Sequence, residues 1–302
     1  MKKIDDILKG ILCEEDIFIN ETMKNHTSFK IGGDCDYLVT PRSVAQIQQL
    51  VIELNEAKIP IFIMGNGSNL LVRDKGIRGV VIKLAQNFSE FEIIDDKVVA
   101  QSGILLSTLS KQILKESLSG FEFASGIPGT IGGATTMNAG AYDSEMKNVV
   151  TEVMTIDRLG IIKSYTNEEM KFRYRKSKIT DENLIVLSAS IKLKKDKFED
   201  IKAKIDDFTT KRTTKQPLTA YSAGSTFKRP EGYFAGKLIE DSGLKGIIMR
   251  HAEVSNLHSG FVINKGEATC ENILDLIEFI KATVYAKFNV MLEEEVRLVG
   301  EK

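Results

Sequence analysis

The spacing of apolar positions changes several times along the chain, and each change marks an element. Ile4, Ile7, Leu8, Ile11 and Leu12 recur at helical spacing and predict a short amphipathic helix. Tyr37 to Thr40 reads as a short strand closed by Pro41. Ser43 with Gln46 is the pattern of a capping box, in which the two residues exchange bonds with each other's backbone. Val44, Ile47, Leu50, Val51 and Leu54 form one face of the helix that follows. The apolar run Ile61 to Met64 predicts a buried strand, with further strands at Leu71-Val72 and Val80 to Ile82. Strand, helix and strand in that order make an α/β unit.

From Phe91 the pattern changes. Phe91 to Ile94 and Val98 to Ala100 flank Asp95-Asp96-Lys97, which predicts a hairpin. Leu105, Leu109, Ile113 and Leu114 mark a helix, and Val149 to Ile156, Ile161 to Tyr165 and Leu184 to Leu193 alternate like strands. Lys195 to Thr210 predicts a charged helix with Phe198, Ile201, Ile205 and Phe208 turned inward and Asp200 paired with Lys204. That helix must stop before Pro217. A helix is expected around Phe234–Ser242, a strand at Phe261 to Ile263, and a long helix from about Glu271 to Phe288. A strand from Val290 to Val299 closes the chain.

Composition sets limits on this picture. The chain has 302 residues, 42% of them hydrophobic, enough for two or three cores, because single cores stop growing near ~250–300 residues. A net charge of -1 gives no reason to expect nucleic acid or an anionic membrane. Cys13, Cys35 and Cys270 show neither metal spacing nor a disulfide framework, which points to a reducing cytosol. His26, His251 and His258 form no zinc motif, so no metal is expected. The start, Met1 to Asp6, lacks a signal-peptide core, and no apolar stretch approaches the ~18 residues that span a bilayer. No repeat is visible, and nothing points to an obligate protein partner.

Chemistry concentrates in a few places. The run Ser125-Gly126-Ile127-Pro128-Gly129-Thr130-Ile131-Gly132-Gly133-Ala134, ending near Asn138, is dense in glycine and has no charged side chain. Backbone N–H groups in such a loop can approach a ligand closely and suit phosphate. A second run, Gly65-Asn66-Gly67-Ser68-Asn69-Leu70, follows the strand at Ile61 to Met64. It lacks the third glycine of a dinucleotide fingerprint, and neither run has the lysine of a P-loop. Each alone reads as a tight turn; together they favour an extended anionic cofactor. Phe172-Arg173-Tyr174-Arg175-Lys176-Ser177 is either a solvated turn or an arginine held by stacking and aimed into a site. Tyr221 to Pro230 places Ser225 near Lys228 and Arg229 without a nucleophile-elbow pattern, so an acyl-transfer serine is not indicated. In Leu292 to Leu298 a strand would put Glu293 and Glu295 on one face and Glu294 on the other.

Taken in order, Asn25 to Gly33, Gly65 to Asn69, Gly126 to Gly133, Tyr174-Arg175-x-Ser177, Gly224-Ser225-x-Phe227-Lys228-x-Pro230 and Glu295-Val296-Arg297 resemble the UDP-N-acetylenolpyruvoylglucosamine reductase family over almost the whole chain. The compact spacing resembles the form without the tyrosine-loop insertion. The resemblance implies an α+β protein: an FAD-binding module of the vanillyl-alcohol-oxidase (PCMH) type in two lobes plus a C-terminal α/β substrate domain. The expected ranges are 1–30 for a lead-in, 31–196 for the flavin module with lobes 31–84 and 85–196, 197–212 for a connecting helix and 213–302 for the substrate domain.

It also implies noncovalent FAD, NADPH as co-substrate, a cytoplasmic enzyme of peptidoglycan precursor synthesis, and UDP-N-acetylglucosamine enolpyruvate as substrate. Arg175 and Glu295 would orient or polarise the enolpyruvyl carboxylate, and Ser225 would give the final proton, its hydroxyl polarised by neighbours such as Lys228. Gly65, Asn66, Gly67, Ser68, Asn69, Leu70, Gly126, Ile127, Pro128, Gly129, Thr130, Gly132, Gly133 and Asn138 would bind the cofactor. Tyr174, Lys215, Lys228, Arg229 and His258 would meet the substrate, with Tyr221 and Tyr233 as candidates for closing over it. The alternatives are a flavin oxidase of an alcohol or lactone on the same fold, and a non-catalytic nucleotide-sugar sensor.

Overall fold

A computed structural model describes residues 4–302; Met1, Lys2 and Lys3 of the N-terminal stretch read above lie outside the described residues. The chain packs into two units: one from residues 1–19, 37–66 and 79–211, the other from 20–36, 67–78 and 212–302. The chain thus leaves and re-enters each unit, whereas the ranges expected from the resemblance are continuous.

In the first unit, α1 (Ile4–Ile11) packs on α2 (Val44–Glu56). Their apolar faces meet Val80, Ile82 and Phe88 in one core. Ser43 caps α2 by accepting the Gln46 N–H at 3.2 Å. The capping box is not completed, because Gln46 Oε1 accepts from the Arg42 N–H at 2.8 Å. The strands Ile17–Thr22, Asp34–Val39, Ile77–Lys83 and Ile61–Met64 make one sheet in that order. Ile61–Met64 runs parallel to Val80–Lys83, and the chain between them leaves the sheet through residues 65–76, since parallel neighbours cannot be joined by a tight hairpin.

A second sheet of this unit has the order Ile162–Thr166, Val150–Ile156, Ile185–Lys192, Lys97–Gln101, Phe91–Ile94, all antiparallel. The expected hairpin turns at Asp95-Asp96, with Asp95 at φ 55°. Helix α3 (Leu106–Lys115) buries Leu106, Leu109 and Ile113, and α4 (Ile131–Thr136) packs on Ile185–Lys192. The short α5 (Lys178–Asp181) follows Ser177.

Helix α6 (Phe198–Lys215) ends before Pro217 as expected, but only Ile201 on it is buried. Phe198 is 39% exposed. Phe208 lies flat on Tyr142 with ring centroids 4.1 Å apart and does not enter a core. Lys204 reaches Glu122 at 3.7 Å, so the expected pair with Asp200 is replaced by a tertiary one.

In the second unit, α8 (Cys270–Phe288) covers the sheet Ile248–Met249, Ala252–Val254, Val262–Asn264, and α7 (Ala235–Asp241) packs on α8. Their core takes in Phe29, Ile31 and Leu71 from the early segments. Thr269 caps α8 with a full capping box, and the Asp74 carboxylate accepts from the Cys270 and Glu271 N–H groups at 2.8 and 3.2 Å. A carboxylate there answers both the unpaired N–H groups and the positive end of the helix dipole. The expected strand Val290 to Val299 is shorter. Only Arg297–Val299 is regular, pairing in parallel with Leu70–Val72, and Glu294 bridges singly to Phe227.

Candidate active site

Gly65, at the head of the first glycine run, meets the second run within the first unit. A Cβ on Gly65 would overlap Thr130 Oγ1, so the glycine is what allows the first loop to lie against the second. The second loop is held from behind: Leu106, Ile131 and Gly132 N–H groups donate to the C=O groups of Gly129, Ile104 and Ser102 at 3.0, 2.9 and 2.9 Å. Thr130, buried, caps α4 by accepting the Gly133 N–H at 3.4 Å. Gly126, Ile127, Pro128 and Gly129 remain wholly or partly accessible.

Arg175 stands in the same unit on a tight turn. Arg173 and Lys176 exchange both backbone bonds, at 2.9 and 3.1 Å, with only Tyr174 and Arg175 between them. The guanidinium lies 4.8 Å from the Tyr174 ring centroid. The segment joins features of both readings: the turn is solvated, with Arg173, Tyr174 and Lys176 exposed, and the half-buried arginine lies against the neighbouring ring. Asn138 departs from expectation. It is fully buried, its Nδ2 donates to Arg173 C=O at 3.3 Å and its Oδ1 accepts the Lys147 N–H at 2.9 Å, so its side chain is engaged by the protein and not turned to a cofactor.

In the second unit, distant motifs meet through the backbone. Ser28 N–H donates to Gly67 C=O at 3.2 Å, and Asn264 Nδ2 to Phe29 C=O at 2.9 Å, which seats the Asn25 to Gly33 motif. Asn69 Nδ2 donates to Glu295 C=O at 3.0 Å, and Arg297 N–H to Asn69 C=O at 2.9 Å. The Glu295 N–H donates to Thr226 C=O at 2.8 Å. The peptide flanks of Glu295 are therefore held by Asn69 on one side and by the residue after Ser225 on the other. Thr226 is buried, and its hydroxyl accepts the Val262 N–H at 2.9 Å. Sequence reading passed over Thr226, because a threonine beside a serine in a polar loop carries no distinguishing pattern.

Ser225 itself is exposed. The three consecutive glutamates diverge: Lys228 Nζ pairs with Glu293 at 2.8 Å and Lys281 Nζ with Glu294 at 2.7 Å. Lys228 was expected to polarise the serine or to meet the substrate; in the structure its ammonium answers Glu293. Hydrogen bonds to Glu294 and Glu278 raise the pKa of Lys281 above the lysine norm. The Arg229 guanidinium lies 4.0 Å from the Phe234 ring centroid, and Lys215 is the exposed last residue of α6. His258 is half-buried; Nδ1 accepts the Gly260 N–H at 3.1 Å, and burial pushes its pKa below 6.5. Among the described residues no group of histidine, cysteine and acidic side chains is arranged to hold a metal ion.

The chain matches the model of an FAD binding domain over residues 35–165, and that of the UDP-N-acetylenolpyruvoylglucosamine reductase C-terminal domain over 216–299. It is 55% identical over 294 residues to the UDP-N-acetylenolpyruvoylglucosamine reductase of Clostridioides difficile, across 97% of each chain. The chain belongs to the UDP-N-acetylenolpyruvoylglucosamine reductase family.

The crystal structure of the family's member from Thermus caldophilus superposes with a TM-score of 0.79 at 33% identity, over 93% of this chain and 97% of that one. The fold is thus the PCMH-type FAD-binding fold with a C-terminal domain. A grass pollen allergen with glucose dehydrogenase activity shares the fold alone, with a TM-score of 0.52 at 14% identity over 65% of this chain and 45% of the allergen.

The residues present fit the FAD that this family carries. Among the described residues, the N–H groups of Gly126 and Gly129 take no acceptor within the chain, which leaves donors for an anionic or carbonyl-bearing ligand. Behind the same loop, the buried hydroxyls of Ser102 and Thr135 have no hydrogen-bond partner. Buried polar atoms without partners are rare and call for a ligand or water. No helix of the described residues is long and apolar enough to cross a membrane.

Proposed function

We propose that this chain reduces UDP-N-acetylglucosamine enolpyruvate to UDP-N-acetylmuramate in the cytoplasm, with noncovalently bound FAD and with NADPH as the reductant. The observation that carries the reading is the junction of Ser225-Thr226, Glu295 and Asn69 by hydrogen bonds to the Glu295 peptide, since it joins three motifs of the family into one construction.

Bound FAD would accept hydride from NADPH and supply it to the vinyl carbon of the enolpyruvyl ether. The loops at 65–70 and 126–133 hold the cofactor by backbone groups, with no cationic side chain in either. Residues 213–302 bind the substrate. Arg175 grips the enolpyruvyl carboxylate, a task suited to a planar fork of donors. Hydride addition leaves negative charge on the carbon beside that carboxylate, and Arg175 stabilises it as the enolate. Ser225 Oγ–H delivers a proton to that carbon. Glu295 orients the carboxylate end and the serine, its backbone held at both flanks. Tyr174 stacks beneath Arg175, and Arg229 and His258 supply further polar contacts to the substrate.

The test is visible. Purified protein should be yellow, its flavin band should bleach on adding NADPH, and it should recover on adding the enolpyruvyl sugar nucleotide under anaerobic conditions. A band that bleaches and recovers only with oxygen would refute the proposal and support an oxidase.

A further inference from the structure

Ser177 belongs to the Tyr174-Arg175-x-Ser177 motif, yet the reaction gives it no task. The geometry around Arg175 supplies one. Arg175 occupies the third position of its turn with φ 55°. That is the left-handed region, which glycine takes easily and which few other residues hold without support. The support comes from both flanks. On one side, Asn138 Nδ2 holds Arg173 C=O, and Oδ1 of the same amide is anchored by the Lys147 N–H. On the other, Ser177 is fully buried and donates its hydroxyl to Thr136 C=O at 2.7 Å. Thr136 is the last residue of α4, and Asn138 follows two positions later at φ 44°. Both bolts therefore fasten the arginine turn to the tail of the run whose head is the glycine loop Gly126–Gly133.

We propose that Ser177 and Asn138 are positioning residues for Arg175. They keep a strained turn in the one conformation that presents the guanidinium, and they tie that turn to the segment carrying the flavin loop. A fork that must meet both oxygens of a carboxylate tolerates little angular error, so the turn that carries it has to be held in one conformation. The inference rests on the reading of Arg175 as the carboxylate grip.

The experiment uses the flavin-loaded protein and separates the two halves of the reaction. Ser177→Ala removes one oxygen and leaves the volume nearly unchanged. Flavin content and the rate of bleaching by NADPH should stay within about twofold of wild type, since neither involves Arg175. Reoxidation by the enolpyruvyl sugar nucleotide should slow roughly 10- to 100-fold, the scale of a misplaced catalytic group. Calorimetry should show weaker binding of that substrate. In an Arg175→Ala background, Ser177→Ala should slow reoxidation no further, because the residue it serves is gone. Equal slowing of both halves, or an undiminished effect in the Arg175→Ala background, would overturn the positioning role. If Ser177→Ala does not accumulate folded, Ser177→Cys, with a weaker donor in the same place, carries the same measurements. Wild-type protein that the substrate cannot reoxidise would defeat the reading of the reaction itself. A competent wild type matched by Ser177→Ala would defeat the positioning role alone.

Discussion

Gly65→Ala is the most direct probe of the contact between the two glycine loops. The backbone at Gly65 lies outside the left-handed region, so alanine adds no conformational strain of its own. What it adds is a methyl group overlapping Thr130 Oγ1 and lying 3.3 Å from Thr130 Cγ2 and 3.4 Å from Thr130 Cβ. Thr130 cannot retreat as a unit, because Gly129, Ile131 and Gly132 on either side are bonded to the 102–106 segment. Rotating its side chain instead gives up the cap on α4, worth about 0.5–2 kcal/mol. Overpacking a closed contact adds roughly 1–3 kcal/mol. The apo protein can relieve this by letting the loops part, but binding FAD must bring them back. The strain therefore falls on affinity, by about 2–4 kcal/mol or roughly 30- to 1000-fold at 1.4 kcal/mol per decade. The assay is the ratio of flavin to protein absorbance after purification, followed by titration of the apoprotein with FAD. Adding Thr130→Ala should restore part of the affinity, because the clashing oxygen is gone. Gly65→Ala protein with full flavin and wild-type affinity would refute the claim that the loops need this contact.

Ser225→Ala should bleach with NADPH at a near-normal rate and then reoxidise about 10²–10⁴-fold more slowly with substrate; stopped-flow absorbance reads both halves, and rapid reoxidation would remove the serine from the proton transfer. Arg175→Lys keeps the charge but loses the planar fork, so turnover should fall steeply while melting temperature and flavin content hold; unchanged turnover would sink the assignment. Thr226→Val leaves the buried Val262 N–H without its acceptor, and should lower stability by about 1–3 kcal/mol in denaturant unfolding; an unchanged midpoint would show that the hydroxyl is dispensable. His258 is depressed below its unfolded value of 6.5 by burial. The unfolded chain therefore takes up this proton first, and stability falls as pH drops below about 6.5 toward the folded value; a His258 titration by proton resonance at or above 6.5 would contradict this. In the native state only the exposed Cys13 should react with a thiol reagent, since burial raises Cys35 to about 11 and Cys270 to about 12; fast labelling of all three without denaturant would be the refuting result.

Much of the fold was legible along the chain because its elements bury one face each. The spacing of Ile47, Leu50, Val51 and Leu54 and the alternation before and after Asp95-Asp96 need no partner to be read. Errors arose where a residue's environment comes from elsewhere. Helix α6 has apolar residues at helical spacing, yet Phe208 is met by Tyr142 from a distant turn and Phe198 by nothing that buries it. Leu292 to Val296 alternates like a strand, but Glu294 finds only one residue, Phe227, to bridge.

The candidate site divides the same way. The types of residue, and the family they indicate, were present in the sequence itself: glycine without side chain where a ligand approaches, an arginine beside an aromatic ring, a serine near cations. What each polar group does with its hydrogen bonds was decided by tertiary structure alone. Lys228 lies 65 residues before Glu293, yet its ammonium answers that acid; Asn138 turns inward to hold Arg173; Thr226 and Asn69 hold the peptide of Glu295. Glycine and apolar periodicity act through excluded volume and solvent, which are local properties of a residue type. A hydrogen bond needs a second group at about 3 Å, and its identity is settled only when segments far apart in the chain are packed together.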